Sequence, residues 1–417
     1  MDPDKLSELL TQKQFAQLRN NPRVLPSRTN PVYLSEILQT QLVLHPNQQF
    51  VRAYLSPHSK VHRLLAYHDP GSGKTNLAIA TALEHAHAYR QIHLHTGSSP
   101  SIWFIGFSRS VFLRELLRRP EFGFISRTEL AELDRLRKTN SEYLQEYESK
   151  LRRRLTRKQN GGFFRFFGYK EFYNRLFLGT AETELDEDGI LAGIKAGSIK
   201  VNFELIDSMR NGFVVCDEIH NAYNSTEVNN YGLALRMLVN FFDIPDLLAE
   251  SITISPERLE QYRSGTIYLL LMTGTIVNNG PAEAVDLMNI LVPTSRIMHF
   301  AKSWGWKFTD IPKIKREWLF ANRRDPLPGA LDKIGQLVTG LVSRYQDYNP
   351  DYYPRLIIEG EPIPIPKSLY HTRVSFYQDK VLPYLKFIRC PMTGIHLQTY
   401  KKQESLPPDG QALLDMC

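Results

Sequence analysis

A glycine-rich segment constrains the fold of this chain more than any other feature of its sequence. It reads Tyr67-His68-Asp69-Pro70-Gly71-Ser72-Gly73-Lys74-Thr75. An apolar run at residues 61–68 leads into it, and an Ala-rich helical pattern at residues 75–89 follows it. Glycine lets the backbone wrap closely around an anion where a Cβ would clash, and the first N–H groups of a helix point at such an anion. The segment therefore predicts a phosphate-binding loop between a strand and a helix.

Lys74 and Thr75 supply the chemistry of this loop. We expect the Lys74 ammonium to reach the β- and γ-phosphates of a nucleotide and the Thr75 hydroxyl to ligate Mg²⁺. His68 departs from the usual pattern, which has glycine at that position, but the Gly-x-Gly-Lys-Thr core is intact. The alternative, an incidental turn, does not account for the strand before the loop and the helix after it. The sequence thus predicts ATP and Mg²⁺ as cofactors, bound by residues 68–75.

A second element of the sequence ends in two carboxylates. It reads Phe213-Val214-Val215-Cys216-Asp217-Glu218-Ile219-His220. At the carboxyl end of a parallel strand, Asp217 and Glu218 would face the crevice in which ligands bind. We expect Asp217 to hold Mg²⁺ and Glu218 to orient and deprotonate the attacking water; a solvated acidic turn is the alternative. With the phosphate loop, the element predicts nucleotide hydrolysis, with Lys74, Asp217 and Glu218 as catalytic residues.

Strand-like and helix-like patterns alternate along the chain. The apolar, β-branched or aromatic runs lie at residues 61–68, 102–107, 163–169, 212–216 and 266–272, with helical patterns at 75–89, 110–119, 228–242 and 281–291. Near-continuous apolar strands are typical of a parallel sheet that is buried on both faces. The alternation predicts an α/β fold with a doubly wound parallel sheet.

The other segments suggest how the chain divides into domains. The predicted segments are a helical extension (1–40), a nucleotide-binding domain (41–295), a mixed helical extension (296–350) and a Pro-rich linker that leads into a further domain (351–417). Two insertions interrupt the nucleotide-binding domain: long helices at residues 126–160 and a loop or hairpin at residues 179–200. A helix is predicted for residues 330–345.

Positive charge is concentrated in one region. The chain has a formal net charge of +7, and residues 109–170 hold 16 basic and 8 acidic side chains. Four arginines lie at the end of the helical insertion: Arg152, Arg153, Arg154 and Arg157. A localised positive field suits a polyanion such as DNA, bound through its phosphates. The insertion could equally dock a partner subunit, or be a solvated helical face.

Taken together, these motifs resemble those of the superfamily 2 helicases and translocases. Residues 217–220 resemble the D-E-x-H motif, and residues 272–279 (Met-Thr-Gly-Thr-Ile-Val-Asn-Asn) resemble motif III of the Snf2-like branch. Residues 44–48 (Leu-His-Pro-Asn-Gln) resemble the Leu-x-Pro-x-Gln element of that superfamily. The resemblance covers residues 40–295 and implies a RecA-like first helicase lobe.

The same resemblance implies roles for individual residues. Gln48 would read the adenine edge. The residues that would couple hydrolysis to movement are His220, Thr273, Gly274 and Thr275. The segments at 102–108 and 167–169 are similar to motifs that touch the nucleic-acid backbone, which implies nucleic-acid contacts at or beside them. The implied contact residues are Ser108, Arg109, Tyr169 and Lys170.

Within the superfamily, the resemblance is closest to the helicase subunits of large cytoplasmic DNA viruses. The loop with its histidine, Asn221 after the acidic motif and the Thr-Gly-Thr element carry it. The nearest resemblance is to the small subunit of the poxvirus-type early transcription factor, including its asfarvirus homologue. It implies an ATP-dependent helicase or translocase that opens duplex promoter DNA. The implied partners are a large transcription factor subunit and the viral RNA polymerase, in the host cytoplasm and the virion; no membrane partner is expected.

Two other functions stay open at this point. One is the nucleoside triphosphatase of viral transcription termination, and the other is a DNA-binding transcription factor subunit that uses ATP as a switch without unwinding. A complete motor of this superfamily also has a second lobe with a Gln-x-x-Gly-Arg-x-x-Arg motif, and no Gly-Arg pair occurs in this chain. We therefore expect a C-terminal extension that leads towards a second lobe outside these 417 residues, on which hydrolysis depends.

Overall fold

A parallel β-sheet lies at the centre of the structure, a computed structural model that describes residues 44–106, 109–139, 142–157, 162–179, 185, 187–222, 231–276, 280–308 and 311–345. The described strands are β1 (Arg63–His68), β2 (Ile102–Gly106), β3 (Phe164–Gly168), β4 (Phe177–Leu178), β5 (Lys200–Val201), β6 (Phe213–Asp217), β7 (Tyr268–Thr273) and β8 (Val342–Tyr345). Six of them form one sheet in the order β3-β2-β6-β7-β1-β8. All neighbours in this sheet are parallel, which confirms the α/β prediction.

Fourteen α-helices surround the strands in the described residues. They are α1 (Pro46–Tyr54), α2 (Lys74–Thr96), α3 (Arg109–Leu116), α4 (Arg127–Lys138), α5 (Leu144–Thr156), α6 (Tyr169–Leu176), α7 (Glu187–Lys195), α8 (Phe203–Met209), α9 (Gly232–Asp243), α10 (Pro245–Ala249), α11 (Pro256–Arg263), α12 (Ala284–Leu291), α13 (Thr294–Trp304) and α14 (Ala330–Val338). Local chemistry sets several of their ends. Helix α4 begins with a capping box between Ser126 and Glu129, and α2 ends at Gly97 in the left-handed conformation.

The core consists of two apolar layers, one on each face of the sheet. Successive residues of a strand point to opposite faces, and the buried side chains divide accordingly. In β6, Val214 and Cys216 belong to one cluster, whereas Phe213 and Val215 belong to the other. Because both faces are covered, the central strands are buried along almost their whole length. No helix among the described residues combines the length and the apolar character that crossing a membrane requires.

Most of the predicted elements are present. The five predicted strand segments are confirmed as β1, β2, β3, β6 and β7. The helical insertion at residues 126–160 is confirmed as α4 and α5 over its described part. Residues 1–40 and 351–417 lie outside the described residues, so the extension and the linker predicted there stay predictions.

Two predictions need correction. The helix expected at residues 330–345 ends at Val338, because Gly340 has a left-handed φ of +74° and turns the chain. Residues Val342–Tyr345 then form β8, which pairs with β1. The segment at 179–200, expected to be a loop or hairpin, does connect the antiparallel strands β4 and β5, but it also contains helix α7, whose Ile190 is buried in the core. The absence of a side chain on Gly193 permits this packing, because a Cβ there would lie 2.5 Å from Ile199 Cδ1.

Candidate nucleotide site

The phosphate loop and the acidic motif meet at the carboxyl edge of the sheet. Strands β6, β7 and β1 are neighbours, so the segments that follow them lie side by side. The Lys74 ammonium lies 3.9 Å from Glu218 Oε1. A Cβ on Gly274, just after β7, would lie 3.4 Å from Lys74 Nζ and 3.3 Å from Pro70 Cδ. The structure therefore places three sequence-predicted segments in one small region.

The phosphate loop has a backbone conformation that depends on its glycines. Gly71 and Gly73 have φ angles of +78° and +79°, a region that residues with a Cβ rarely adopt. Gly73 is constrained twice, because a Cβ there would also lie 2.5 Å from Gln48 Nε2. Asp69 and Ser72 close the turn through a hydrogen bond from Ser72 N to Asp69 O of 3.2 Å. Helix α2 begins directly after the loop at Lys74, so its first N–H groups face the loop.

Lys74 is held by the loop itself. Its ammonium donates to the carbonyl oxygens of His68 at 3.1 Å and of Asp69 at 3.4 Å. Its side chain is only 10% exposed, so it is held close to Glu218 within the site. The nearby Ser72 hydroxyl is buried and makes no hydrogen bond to any described residue. A buried hydroxyl without a partner beside a fixed ammonium is a feature that a bound phosphate would satisfy.

Gln48 braces the loop from helix α1. The side chain is 1% exposed, and its Oε1 accepts from His45 N at 3.0 Å. Its Nε2 donates to Ser72 O at 3.3 Å and to Gly73 O at 3.1 Å. Both ends of the amide are therefore engaged with backbone in this structure. The adenine contact implied by sequence resemblance stays a prediction, and the observed role of Gln48 is to shape the loop.

His68 occupies the loop position at which glycine is usual, and its side chain points away from the loop. The ring is 1% exposed, and Nε2 lies 3.0 Å from Ser343 Oγ on the neighbouring strand β8. Burial, together with the Lys74 charge, lowers the pKa of His68 to about 4. The ring is therefore neutral near neutral pH. A histidine fits here because β8 receives its side chain, a contact that local sequence does not reveal.

Asp217 and Glu218 have different environments. Burial, together with the Glu218 charge, raises the pKa of the Asp217 carboxyl to about 6. Glu218 has a left-handed φ of +46°, which is uncommon for a residue with a Cβ. This backbone turns the Glu218 side chain towards Lys74. Glu218 Oε2 also accepts from Gly274 N at 3.4 Å. Unusual φ angles of this kind are concentrated at functional sites.

The coupling residues implied by sequence resemblance form one hydrogen-bonded group around Glu218. His220 Nδ1 lies 2.8 Å from Thr273 Oγ1 and 3.4 Å from Glu218 Oε2. Thr273 Oγ1 lies 3.4 Å from the same Glu218 oxygen and donates to Thr275 O at 2.6 Å. A shift of the segment after β7 would therefore move the hydrogen-bond partners of the Glu218 carboxylate.

Thr75 and Asp217 suit a magnesium ion by the chemistry of their donors. Hydroxyl and carboxylate oxygens are the ligands that this hard cation prefers. Burial raises the pKa of the Asp217 carboxyl, and a cation beside it would favour its charged form. These two residues therefore fit the predicted Mg²⁺.

The candidate nucleic-acid residues beside the sheet differ in exposure. Lys170 is exposed at the start of α6. Tyr169 is 4% exposed, and its hydroxyl donates to Asp217 O at 2.7 Å. Its side chain is thus part of the core, which does not favour the implied nucleic-acid contact. Arg109 begins helix α3, and Ser108 lies outside the described residues.

The arginines of the insertion also differ. Arg154 makes two hydrogen bonds to Glu129, at 2.7 and 3.0 Å, and a third to Phe124 O at 3.0 Å. It therefore joins α5 to α4 and is a poor candidate for a phosphate contact. Arg152 lies 3.7 Å from Glu148. Arg153 and Arg157 are exposed at the end of α5, and they are the members of the group best placed to meet an external anion.

Comparison with known proteins identifies viral relatives. The chain is 32% identical over 407 residues to the "Early transcription factor large subunit homolog" of African swine fever virus (isolate Pig/Kenya/KEN-50/1950). It is 32% identical over 404 residues to the protein of the same name from strain Badajoz 1971 Vero-adapted. Each alignment covers 88% of this chain and 32% of the relative, so the chain spans about a third of the length of these curated relatives. No protein-family model matches the chain.

These names correct one prediction from the sequence. The resemblance pointed to the small, helicase subunit of the viral early transcription factor, whereas both relatives are named as homologues of the large subunit. The motifs on which the resemblance was based predict a nucleotide-binding segment and carry no information on subunit size. Similarity to a viral early transcription factor is supported, and the small subunit is not.

Proposed function

We propose that this chain is the nucleotide-binding part of a viral early transcription factor, with a RecA-like fold that binds ATP and Mg²⁺ and hydrolyses ATP. The observation that carries the proposal is the grouping of Lys74, Asp217 and Glu218 at one edge of a parallel sheet, with Lys74 Nζ 3.9 Å from Glu218 Oε1. The carboxyl edge of an open parallel sheet is where such folds bind ligands. The likeness to relatives named for early transcription supports the biological setting.

Each residue has a part in the proposed reaction. Lys74 neutralises the β- and γ-phosphates, and Glu218 accepts a proton from the attacking water, which takes the γ-phosphoryl group from ADP. Mg²⁺, held by Thr75 and Asp217, would supply charge neutralisation at the phosphates. His220 and Thr273 hold the Glu218 carboxylate through the contacts described above.

The proposed partners follow from the relatives' names and from the charge of the insertion. A protein named as a large subunit has a second subunit as partner. Duplex promoter DNA and the viral RNA polymerase are the partners we propose in addition, in the host cytoplasm and the virion. The set of motifs favours the opening of DNA by ATP hydrolysis as the function.

A second candidate is a transcription factor subunit that uses ATP as a switch and does not unwind DNA. The observation in its favour is the relatives' name, which is that of a transcription factor subunit. Measuring ATP consumption together with strand displacement distinguishes the two candidates. A translocase consumes ATP continuously and displaces a strand or a roadblock, whereas a switch changes its DNA affinity once for each nucleotide bound.

The substitution Lys74→Ala tests the site directly. It removes the ammonium that faces the loop, and a hydrogen bond to a charged group is worth ~1.5–3 kcal/mol. ATP affinity is expected to fall roughly 10-fold or more, measured by equilibrium titration with a fluorescent ATP analogue. Lys200→Ala is the matched control, because Lys200 is an exposed lysine on β5. Equal affinities for both variants and the unmodified protein would show that the site is misplaced.

DNA binding by the insertion has its own test. Replacing Arg153 and Arg157 with serine removes two exposed cations. If both meet phosphates, the slope of log affinity against log salt concentration should flatten by up to about 0.9 for each lost contact on duplex DNA. Arg263→Ser is the control, because Arg263 is a surface arginine outside the insertion and is paired with Asp246. A slope that does not change would favour the alternative in which the insertion docks a partner subunit.

A further inference from the structure

Two non-glycine residues of the described chain have a left-handed φ, and they flank the same strand. Asn211 (φ +57°) precedes β6 and Glu218 (φ +46°) follows it. At each end a buried tyrosine donates to a backbone carbonyl beside the turn. Tyr89 OH donates to Asn211 O at 2.8 Å, and Tyr169 OH donates to Asp217 O at 2.7 Å. The strand that carries the acidic motif is thus held at both ends by tyrosine hydroxyls.

The two turns differ in what else stabilises them. Asparagine adopts the left-handed region more readily than most residues, and Asn211 also exchanges hydrogen bonds with Thr266, through its side chain at 3.0 Å and its N–H at 2.7 Å. Glutamate has no such preference. The left-handed conformation of Glu218 therefore depends on its surroundings, and the Tyr169 hydroxyl acts on the adjoining peptide.

The hydrogen bond from Tyr169 fixes the orientation of that peptide. The carbonyl of Asp217 and the N–H of Glu218 belong to one planar unit, so a donor that holds the carbonyl also sets the direction from which Glu218 begins. The carbonyl of this peptide is therefore held by a side chain that belongs to a different element of the fold.

Glycines make this long contact possible. Tyr169 follows β3, and β2 separates β3 from β6, with Gly168, Gly106 and Asp217 in register across the three strands. A Cβ on Gly106 would lie 3.3 Å from Asp217 Cβ. The strand end between Tyr169 and Asp217 therefore carries no side chain, and the tyrosine ring reaches across it.

We propose that Tyr169 is a positioning residue for hydrolysis: it holds the Asp217–Glu218 peptide so that the Glu218 carboxylate stays against Lys74, Gly274 N and His220. This inference rests on the proposed function, since it assigns Tyr169 a part in the reaction that Glu218 would perform. The proposed role concerns only one part of the site. Tyr169 would position the carboxylate that activates water, and the phosphate loop, which follows β1, is expected to be unaffected.

The test is Tyr169→Phe in the full-length protein, which removes the hydroxyl and keeps the ring. A neutral hydrogen bond has a modest net worth, so kcat for ATP should fall roughly 3- to 10-fold while the Kd for ATP is unchanged. In the Glu218→Gln background the same change should cause no further loss, because both substitutions act on one group. Tyr89→Phe is the matched control: it removes the equivalent bond at the other end of β6 and should leave kcat unaltered.

Three results would overturn or redirect the inference. If Tyr169→Phe and Tyr89→Phe have the same kcat, the Tyr169 hydroxyl has no part in hydrolysis. A loss of ATP affinity as large as the loss of kcat, together with a larger fall in Tm than in Tyr89→Phe, would show a general structural role. If the unmodified protein neither binds nor hydrolyses ATP, the proposed function fails first; if it hydrolyses ATP and Tyr169→Phe is as active, only the role of Tyr169 fails.

Discussion

Replacing Glu218 with glutamine is expected to lower ATP turnover by at least about 100-fold while ATP remains bound. Glutamine has nearly the same shape as glutamate, but its amide accepts a proton poorly from water. The Lys74 ammonium keeps its contacts to the loop carbonyls of His68 and Asp69, so binding does not depend on the missing charge. Single-turnover hydrolysis and equilibrium binding, measured on the same preparation, separate the two effects.

The control for this experiment is Glu132→Gln. Glu132 is a glutamate of the insertion whose carboxylate pairs with Arg135 at the surface, so the same change of charge is made away from the sheet edge. Turnover close to that of the unmodified protein is expected for the control. If Glu218→Gln were equally active, the base would be another group, and the left-handed turn at Glu218 would need a different explanation.

The sequence predicted the parts of the site that depend on local pattern. The phosphate loop was predictable because its glycines, its lysine and the flanking strand and helix are contiguous in the chain. The approach of Glu218 to Lys74 was predictable in outline, because parallel strands bring their carboxyl ends to one edge. Neither inference needed the order of the strands, only that they belong to one parallel sheet.

Contacts between distant segments could not be predicted in the same way. Tyr169 reaches Asp217 across 48 residues, and His68 reaches Ser343 across 275. No periodicity or spacing marks such pairs in a single sequence. Sequence resemblance implied a nucleic-acid contact for Tyr169, whereas its ring is buried and its hydroxyl donates to the Asp217 carbonyl. Resemblance likewise implied an adenine contact for Gln48, whose amide is engaged with the loop backbone.

The basic insertion shows that a count of charged residues in the sequence does not predict which of them face solvent. Its arginines are adjacent in the sequence, yet one of them, Arg154, is held by Glu129 and the Phe124 carbonyl. The helix turns successive residues to different sides, so neighbours in the sequence meet different surroundings. Only the structure distinguishes the arginine that joins two helices from those that face solvent.

A protein limited to these 417 residues is expected to bind ATP and to hydrolyse it at a rate near background. Phosphoryl transfer develops negative charge around the γ-phosphate, and an arginine supplied from a second lobe or a partner is worth about 10³ to 10⁵ in rate. The arginine motif of the second helicase lobe is absent from the sequence, which contains no Gly-Arg pair. The curated relatives are about three times as long as the aligned segment, since the alignment covers 32% of their length.

Hydrolysis measured with increasing lengths of the protein tests this expectation. Binding should be similar for the 417 residues and for a longer protein that carries a second lobe, whereas turnover should rise by orders of magnitude in the longer one. Replacing the arginines of that lobe should return turnover to background and leave binding intact. A turnover of about 1 s⁻¹ or faster from these residues alone, the low end of typical enzyme rates, would contradict the prediction. An arginine of this chain, with Arg109 and Arg323 as the candidates to replace, or one from a second copy would then complete the site. The rate would depend on protein concentration only in the second case.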